Sequence, residues 1–258
     1  MAELELGLAR RALRLCGATT VAVTLTVAGG VTVGAAASVA QSTSAVASAT
    51  SARAGAHLGY GDFELGPWGG YIATGTVGEF TSVVAYFTVP AATCLRHHDL
   101  YAPWVGIDGF GTGTVEQTGL QTACYTGSPV YSAWWEMYPK NPKFYPNPVD
   151  AGDAIAASVT ASGDVFTLTI SDITKGWTRS VTKTQSNADE ATAEAVIESP
   201  YGLYPDFPGV TFTGVEFNGQ PLKHFAGLYR LSVNSGPGTT TYHPTKITHK
   251  EDFSLLPR

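Results

Sequence analysis

Val130-Tyr131-Ser132-Ala133-Trp134-Trp135-Glu136-Met137-Tyr138 reads as a β-strand with two different faces. With a side-chain period of two, Ser132, Trp134, Glu136 and Tyr138 share one face, while Ala133, Trp135 and Met137 share the other and read as core. A glutamate between two large aromatics stands out in a chain of which only 14% is charged. A carboxylate in such company costs free energy unless it is paired, and that setting raises a carboxyl pKa toward acid/base work. Ala193-Glu194-Ala195-Val196-Ile197-Glu198 repeats the arrangement, with Glu194, Val196 and Glu198 on one face and Ala193, Ala195 and Ile197 on the other. Glutamates at alternate strand positions are ordinarily the solvated side of a half-exposed sheet. Together with Trp104-Val105-Gly106-Ile107-Asp108-Gly109 and Gln117-Thr118-Gly119, they instead suggest an acid-rich groove with aromatic walls.

Outward from these segments the chain continues as β. Runs rich in Val, Thr, Phe, Tyr and Ile cover 80–89, 101–107, 130–138, 154–161, 165–172, 178–184, 193–197, 210–217 and 242–248. Turn signals stand between them, such as Ser162-Gly163-Asp164, Asn218-Gly219 and Ser235-Gly236-Pro237-Gly238. No helical period longer than about ten residues follows position 56. Many short, regular strands predict an all-β antiparallel sandwich or barrel.

The N-terminus reads differently. Arg10, Arg11 and Arg14 precede an apolar stretch from Leu15 to Val33, and small residues follow up to Ala40. That order predicts a secretory signal over 1–40 and an exported, extracellular product with no stable membrane association after cleavage. Residues 41–56, nearly all Ser, Ala, Thr and Gly, cannot bury a core and are expected to be a disordered linker or short pro-segment before a single domain over 57–258. Without residues 1–40 the chain holds 12 basic and 19 acidic residues, which argues against nucleic acid or an anionic membrane as partner. Cys94 and Cys124 are then the only thiols, and in an exported protein such a pair is most simply one disulfide.

In order and spacing, these segments resemble the glutamic peptidases (eqolisins, peptidase family G1). Trp104–Gly109, Gln117–Gly119, Trp134–Pro139 and Ala193–Glu198 match that family's Trp-Val-Gly-Ile-Asp-Gly, Gln-Thr-Gly, Trp-Tyr-Glu-Trp-Tyr-Pro and Ala-Glu-Trp-Ile-Val-Glu. Pro67-Trp68-Gly69-Gly70-Tyr71, Phe87-Thr88-Val89-Pro90 and Ala151-Gly152-Asp153 add to the likeness, which spans about residues 66 to 217. The resemblance implies a concanavalin-like sandwich of two seven-stranded antiparallel sheets with a substrate groove on a concave face. It also implies a secreted acid endopeptidase acting on polypeptides, with Gln117 and Glu194 as catalytic dyad and Trp104, Asp108, Trp134, Glu136, Tyr138 and Glu198 lining the site. No cofactor or metal is called for, and a monomer is expected. The chain departs from the family at Ala195, where the family has Trp, and at Glu116, where it has an aliphatic residue.

Other chemistries find little support. The chain has no Gly-x-Ser-x-Gly and no His-Glu-x-x-His, and His97-His98-Asp99 reads as a polar loop rather than a metal site. A glycoside hydrolase on a similar sandwich would need two carboxylates about 5–10 Å apart across the groove. A glycan-binding protein without catalysis would need no poised base at all.

Overall fold

Every segment that alternates in sequence becomes a strand in the computed structural model, which describes residues 62–64, 68–233 and 240–258. The expected signal over 1–40, the linker over 41–56 and the turn at Ser235–Gly238 lie outside the described residues. The strands are β1 (Asp62–Glu64), β2 (Trp68–Thr74), β3 (Ser82–Thr88), β4 (Leu100–Ile107), β5 (Val115–Ala123), β6 (Val130–Tyr138), β7 (Lys143–Phe144) and β8 (Ala154–Ser162). There follow β9 (Val165–Asp172), β10 (Trp177–Thr184), β11 (Thr192–Glu198), β12 (Val210–Phe217), β13 (Gln220–Pro221), β14 (Leu228–Ser232), β15 (Tyr242–Pro244) and β16 (Phe253–Pro257). All nine expected runs are among them.

Two sheets stack face to face. The first runs β1-β14-β2-β11-β4-β5-β6-β7, and the second β10-β9-β8-β3-β12-β16-β15, with the two-residue β13 paired to β12. The expected antiparallel sandwich of two sheets is present, and each sheet carries one short strand beyond the seven expected, β13 in the second. The first sheet has eight strands, and its outermost, β1, lies parallel to β14. The expected turns carry the hairpins: Gly163 (φ 52°) between β8 and β9, and Asn218 and Gly219 (φ 52° and 67°) between β12 and β13.

The inner faces make the core, with Val105, Ile107, Ala193 and Ala195 of the first sheet packed toward Ile155, Leu168 and Phe212 of the second. The strands of the second sheet alternate between buried and exposed residues, as in β9, because their outer face meets solvent. Strand β4 is buried at all eight positions, since its outer face is covered as well. That cover is a smaller apolar layer containing Ile72, Trp104, Val115, Trp134, Val196 and Leu231, and the candidate site is embedded in it.

Cys94 and Cys124 are joined, with Cα atoms 5.6 Å apart, at the end of the β4–β5 pair where Leu100 faces Ala123. The bridge closes a 30-residue separation, for which unfolded-chain entropy gives about 3–4 kcal/mol. Replacing both cysteines by Ala is expected to lower the melting temperature by about 10 °C. Cleavage per folded molecule should hold, because the Gly106–Gln117 pair lies six residues, about 20 Å, along the ladder. A comparable loss in kcat/KM below the melting transition would show instead that the clamp sets the site.

Candidate active site

Sheet register brings four distant segments into one row. Glu194 on β11 faces Gly106 on β4, Gly106 faces Gln117 on β5, and Gln117 faces Glu136 on β6. All four lie on the outer face, since their sequence neighbours Ala193, Ala195, Val105, Ile107 and Met137 belong to the core between the sheets. Gly106 contributes no side chain to this row. A Cβ there would come within 2.8 Å of the Trp104 ring and 3.2 Å of the Gln117 Cβ. The space between Glu194 and Gln117 therefore exists because position 106 is glycine.

Each polar group in the row is held on one side and open on the other. Gln117 Nε2 donates to Glu136 Oε2 at 2.7 Å, while Gln117 Oε1 has no partner among the described residues. Thr192 Oγ1 donates to Glu194 Oε1 at 2.5 Å, while Glu194 Oε2 has no hydrogen-bond partner among the described residues. Glu194 is fully buried, and burial above all raises its pKa well above 4.5, with the charges of Asp108 and Glu116 adding to the rise. The Thr192 hydroxyl and the Phe110 backbone N–H, both facing the carboxyl, hold back part of that rise. Burial, and then the charge of Glu198, pushes Glu136 up to about 8, against the pull of the Gln117 amide. Glu198, half-buried, is raised to about 7 by its surroundings, with the Trp68 and Trp104 indoles opposing the shift.

The neighbouring row supplies the walls. Val196, Trp104, Gly119 and Trp134 face one another across β11, β4, β5 and β6. Gly119 leaves the space Trp104 needs, for a Cβ there would stand 2.3 Å from the Pro103 carbonyl and 2.6 Å from the Trp104 Cβ. Trp68 meets Trp104 edge-on at 4.9 Å. Tyr138, at the other end of β6, faces Val115 and stays partly exposed.

Asp108 is placed differently from the groove-lining position expected for it. It is fully buried with φ 66°, and its carboxylate accepts from the backbone N–H groups of Asp189, Glu190 and Ala191 at 2.8, 2.8 and 2.9 Å. With both oxygens so engaged, it ties the end of β4 to the segment that enters β11, and so fixes where Thr192 and Glu194 emerge. Three residues near the dyad carried no site assignment from the sequence: Thr192, Phe110 and Tyr229. Only Thr192 left a local signal, as a hydroxyl two residues before Glu194 and hence on the same strand face.

A family model for the peptidase A4 family matches residues 66–241, which contain every residue of this site. The chain belongs to the peptidase A4 family, the glutamic peptidases. This glutamic peptidase is accordingly a peptide-bond hydrolase, and the glycan-directed readings fall away. A sequence comparison with curated proteins gives no match. Among solved structures, scytalido-glutamic peptidase bound to a transition-state analogue inhibitor aligns at 25% identity with a TM-score of 0.63, over 75% of this chain and 98% of that one. The same enzyme with a peptide-based transition-state analogue gives 25% and 0.57 over the same shares. SCP-B, an eqolisin in complex with the tripeptide Ala-Ile-His, shares the fold at 24% identity and a TM-score of 0.54, again over 75% and 98%.

The departures of this peptidase from its family at Ala195 and Glu116 fall on the inner face. Ala195 is fully buried in the core between the sheets, so the missing Trp alters packing behind Glu194 rather than the dyad face. Glu116 faces Ile107 and Met137 on that same side, fully buried, and burial followed by the charge of Asp108 raises it to about 8.

Proposed function

We propose that this glutamic peptidase is an exported endopeptidase that hydrolyses peptide bonds through Glu194 and Gln117. The observation that carries the reading is the row Glu194–Gly106–Gln117–Glu136, in which an open carboxylate oxygen and an open amide flank a gap left by glycine. Glu194, as carboxylate, takes a proton from a water in that gap, and the hydroxide so formed attacks the scissile carbonyl carbon. Gln117 cannot titrate. Glu136 occupies one of its two amide N–H groups, and the other meets the developing oxyanion. Collapse of the tetrahedral intermediate breaks the C–N bond as Glu194 returns its proton to the leaving nitrogen, giving a carboxylic acid and an amine. An amide stands between Glu194 and Glu136, so the pair does not have the open carboxylate-to-carboxylate geometry that a glycosidase uses.

The pKa directions give the reaction a bell-shaped pH dependence. Because Glu194 is raised, its base form grows as pH rises and the ascending limb lies above 4.5. The descending limb follows as the buried carboxyls raised to about 7 and 8 ionise and the site loses its fold. Cleavage is therefore expected to be stimulated by acid and to fade in alkaline conditions.

Digestion of a denatured protein, followed from about pH 3 to 9, tests the reading. The wild-type enzyme should cut in the presence of pepstatin-type, serine, cysteine and metal-chelating inhibitors. Gln117→Ala should lower kcat by about 10²–10³ with little change in KM, as loss of an oxyanion donor does. Undiminished cutting by that variant sinks the role of Gln117.

A further inference from the structure

The residue that must reach a peptide is shut away from solvent. Glu194 has no exposed surface, although it lies on the outer face of a central strand. Its row offers only Ile72 on one side and the bare Gly106 on the other, so the cover comes from outside the sheet. The segment 109–113 between β4 and β5, Gly-Phe-Gly-Thr-Gly, provides it. The Phe110 ring rests on Tyr229 at 4.9 Å, and Tyr229 faces Ile72, which itself faces Glu194. The Phe110 backbone N–H of the same segment is near enough to the Glu194 carboxyl to oppose the rise in its pKa. Gly109 fits between Trp68 and Val115 so closely that a Cβ would stand 2.9 Å from the indole and 2.8 Å from the valine. Gly109 (φ 119°) and Gly111 (φ 83°) take backbone conformations that other residues adopt only with strain. Apart from the Phe110 ring, the segment is held by Gly109 N–H donating to Thr112 Oγ1 at 2.6 Å, Gly111 N–H to the Gly109 carbonyl at 3.1 Å and Thr112 Oγ1 to the Thr114 carbonyl at 3.2 Å, none of which reaches a distant strand.

We propose that residues 109–113 are a lid over the dyad, and that Phe110 leaves its seat on Tyr229 to admit a peptide and then packs against an apolar substrate side chain beside the scissile bond. The inference rests on Glu194 being the catalytic base. An extended peptide needs the outer face of β11 and β4, and Phe110 is the one aromatic there that is carried by a glycine-flanked loop rather than a strand. Trp68, Trp104 and Trp134 are fixed by their ladders.

Coupling of the Glu194 carboxyl to an amine by a water-soluble carbodiimide, read by peptide mass spectrometry, measures the cover directly. Labelling should be slow in the wild-type protein and faster by on the order of tenfold in Phe110→Gly, as expected when a closed local state is destabilised by about 1.4 kcal/mol. Tyr229→Ala, which removes the seat and leaves the loop sequence intact, should accelerate it similarly with the melting transition retained. In steady-state cleavage of a peptide series, Phe110→Gly should lose the preference for a large apolar residue at the bond, its kcat/KM for such peptides falling to that for alanine-containing ones. Equal labelling in all three proteins, or an unchanged preference in Phe110→Gly, overturns the lid. The labelling does not depend on the chemistry of Glu194. A carboxyl that becomes accessible in the variants, yet proves dispensable for cleavage, would instead overturn the base assignment.

Discussion

Glu194→Gln should cut at about 10⁻³ of the wild-type rate or less, with the fold intact. The substitution preserves length and shape, and the Gln side-chain carbonyl can still accept from Thr192 Oγ1. It removes only the ability to take up a proton, a contribution worth about 10²–10⁴ on its own and more where base and oxyanion donor act as a unit. The variant should also lack the ascending limb of the pH profile, leaving a flat residual rate. Its melting temperature near neutral pH should equal or exceed that of the wild type, because a neutral amide replaces a carboxyl that burial already disfavours in its charged form. Cleavage within about tenfold of wild type by this variant would remove Glu194 from the chemistry.

The second large effect concerns stability at alkaline pH. Glu116 is fully buried, and neither carboxyl oxygen has a hydrogen-bond partner among the described residues. It is surrounded by acids, with Asp108 at the end of β4 and Glu190 before β11, and only the Thr114 hydroxyl and its own backbone pull its value down. Its folded pKa of about 8 lies above the ordinary 4.5, so the neutral form favours the folded state. That contribution is complete below about pH 4.5 and is lost as pH rises through 8. The cost of ionising it in place is on the order of 3–5 kcal/mol. Glu136, raised to about 8 by burial, acts in the same direction. The wild-type melting temperature should therefore fall between about pH 4.5 and 8 and level off above that. Glu116→Gln should recover roughly 5–10 °C of that fall at pH 9 while changing little at pH 4. Thermal unfolding monitored at both pH values decides the matter. Equal curves for the two proteins at pH 9 would show that Glu116 carries no such charge.

How much of this was legible in the sequence depended on how local each signal is. Alternation is a property of neighbouring residues, so β6 and β11 and the face each glutamate takes could be read directly. Strand β5 was harder. Its Val115-Glu116-Gln117-Thr118-Gly119-Leu120-Gln121-Thr122-Ala123 is mostly polar, and hydrophobic periodicity does not mark it, yet eight of its nine positions are buried. Its polar groups find partners across the ladder, as when Thr118 Oγ1 donates to the Trp134 carbonyl at 2.7 Å. Similarly, Leu228–Ser232 is missing from the expected strands, because β14 is short and half covered and its partner is remote. Only pairing with β2 places Tyr229 beside the site.

The sequence by itself determined the all-β class, the disulfide pair, the family resemblance and the face on which each acid lies. All of these follow from residue type and a period of two. Which residues meet was decided by tertiary structure, since register between strands from about ten to more than 150 residues apart is set by core packing and loop length. That register inserted Gly106 between Glu194 and Gln117, turned Asp108 from the groove into the frame, and set Phe110 against Tyr229, which faces the neighbour of Glu194.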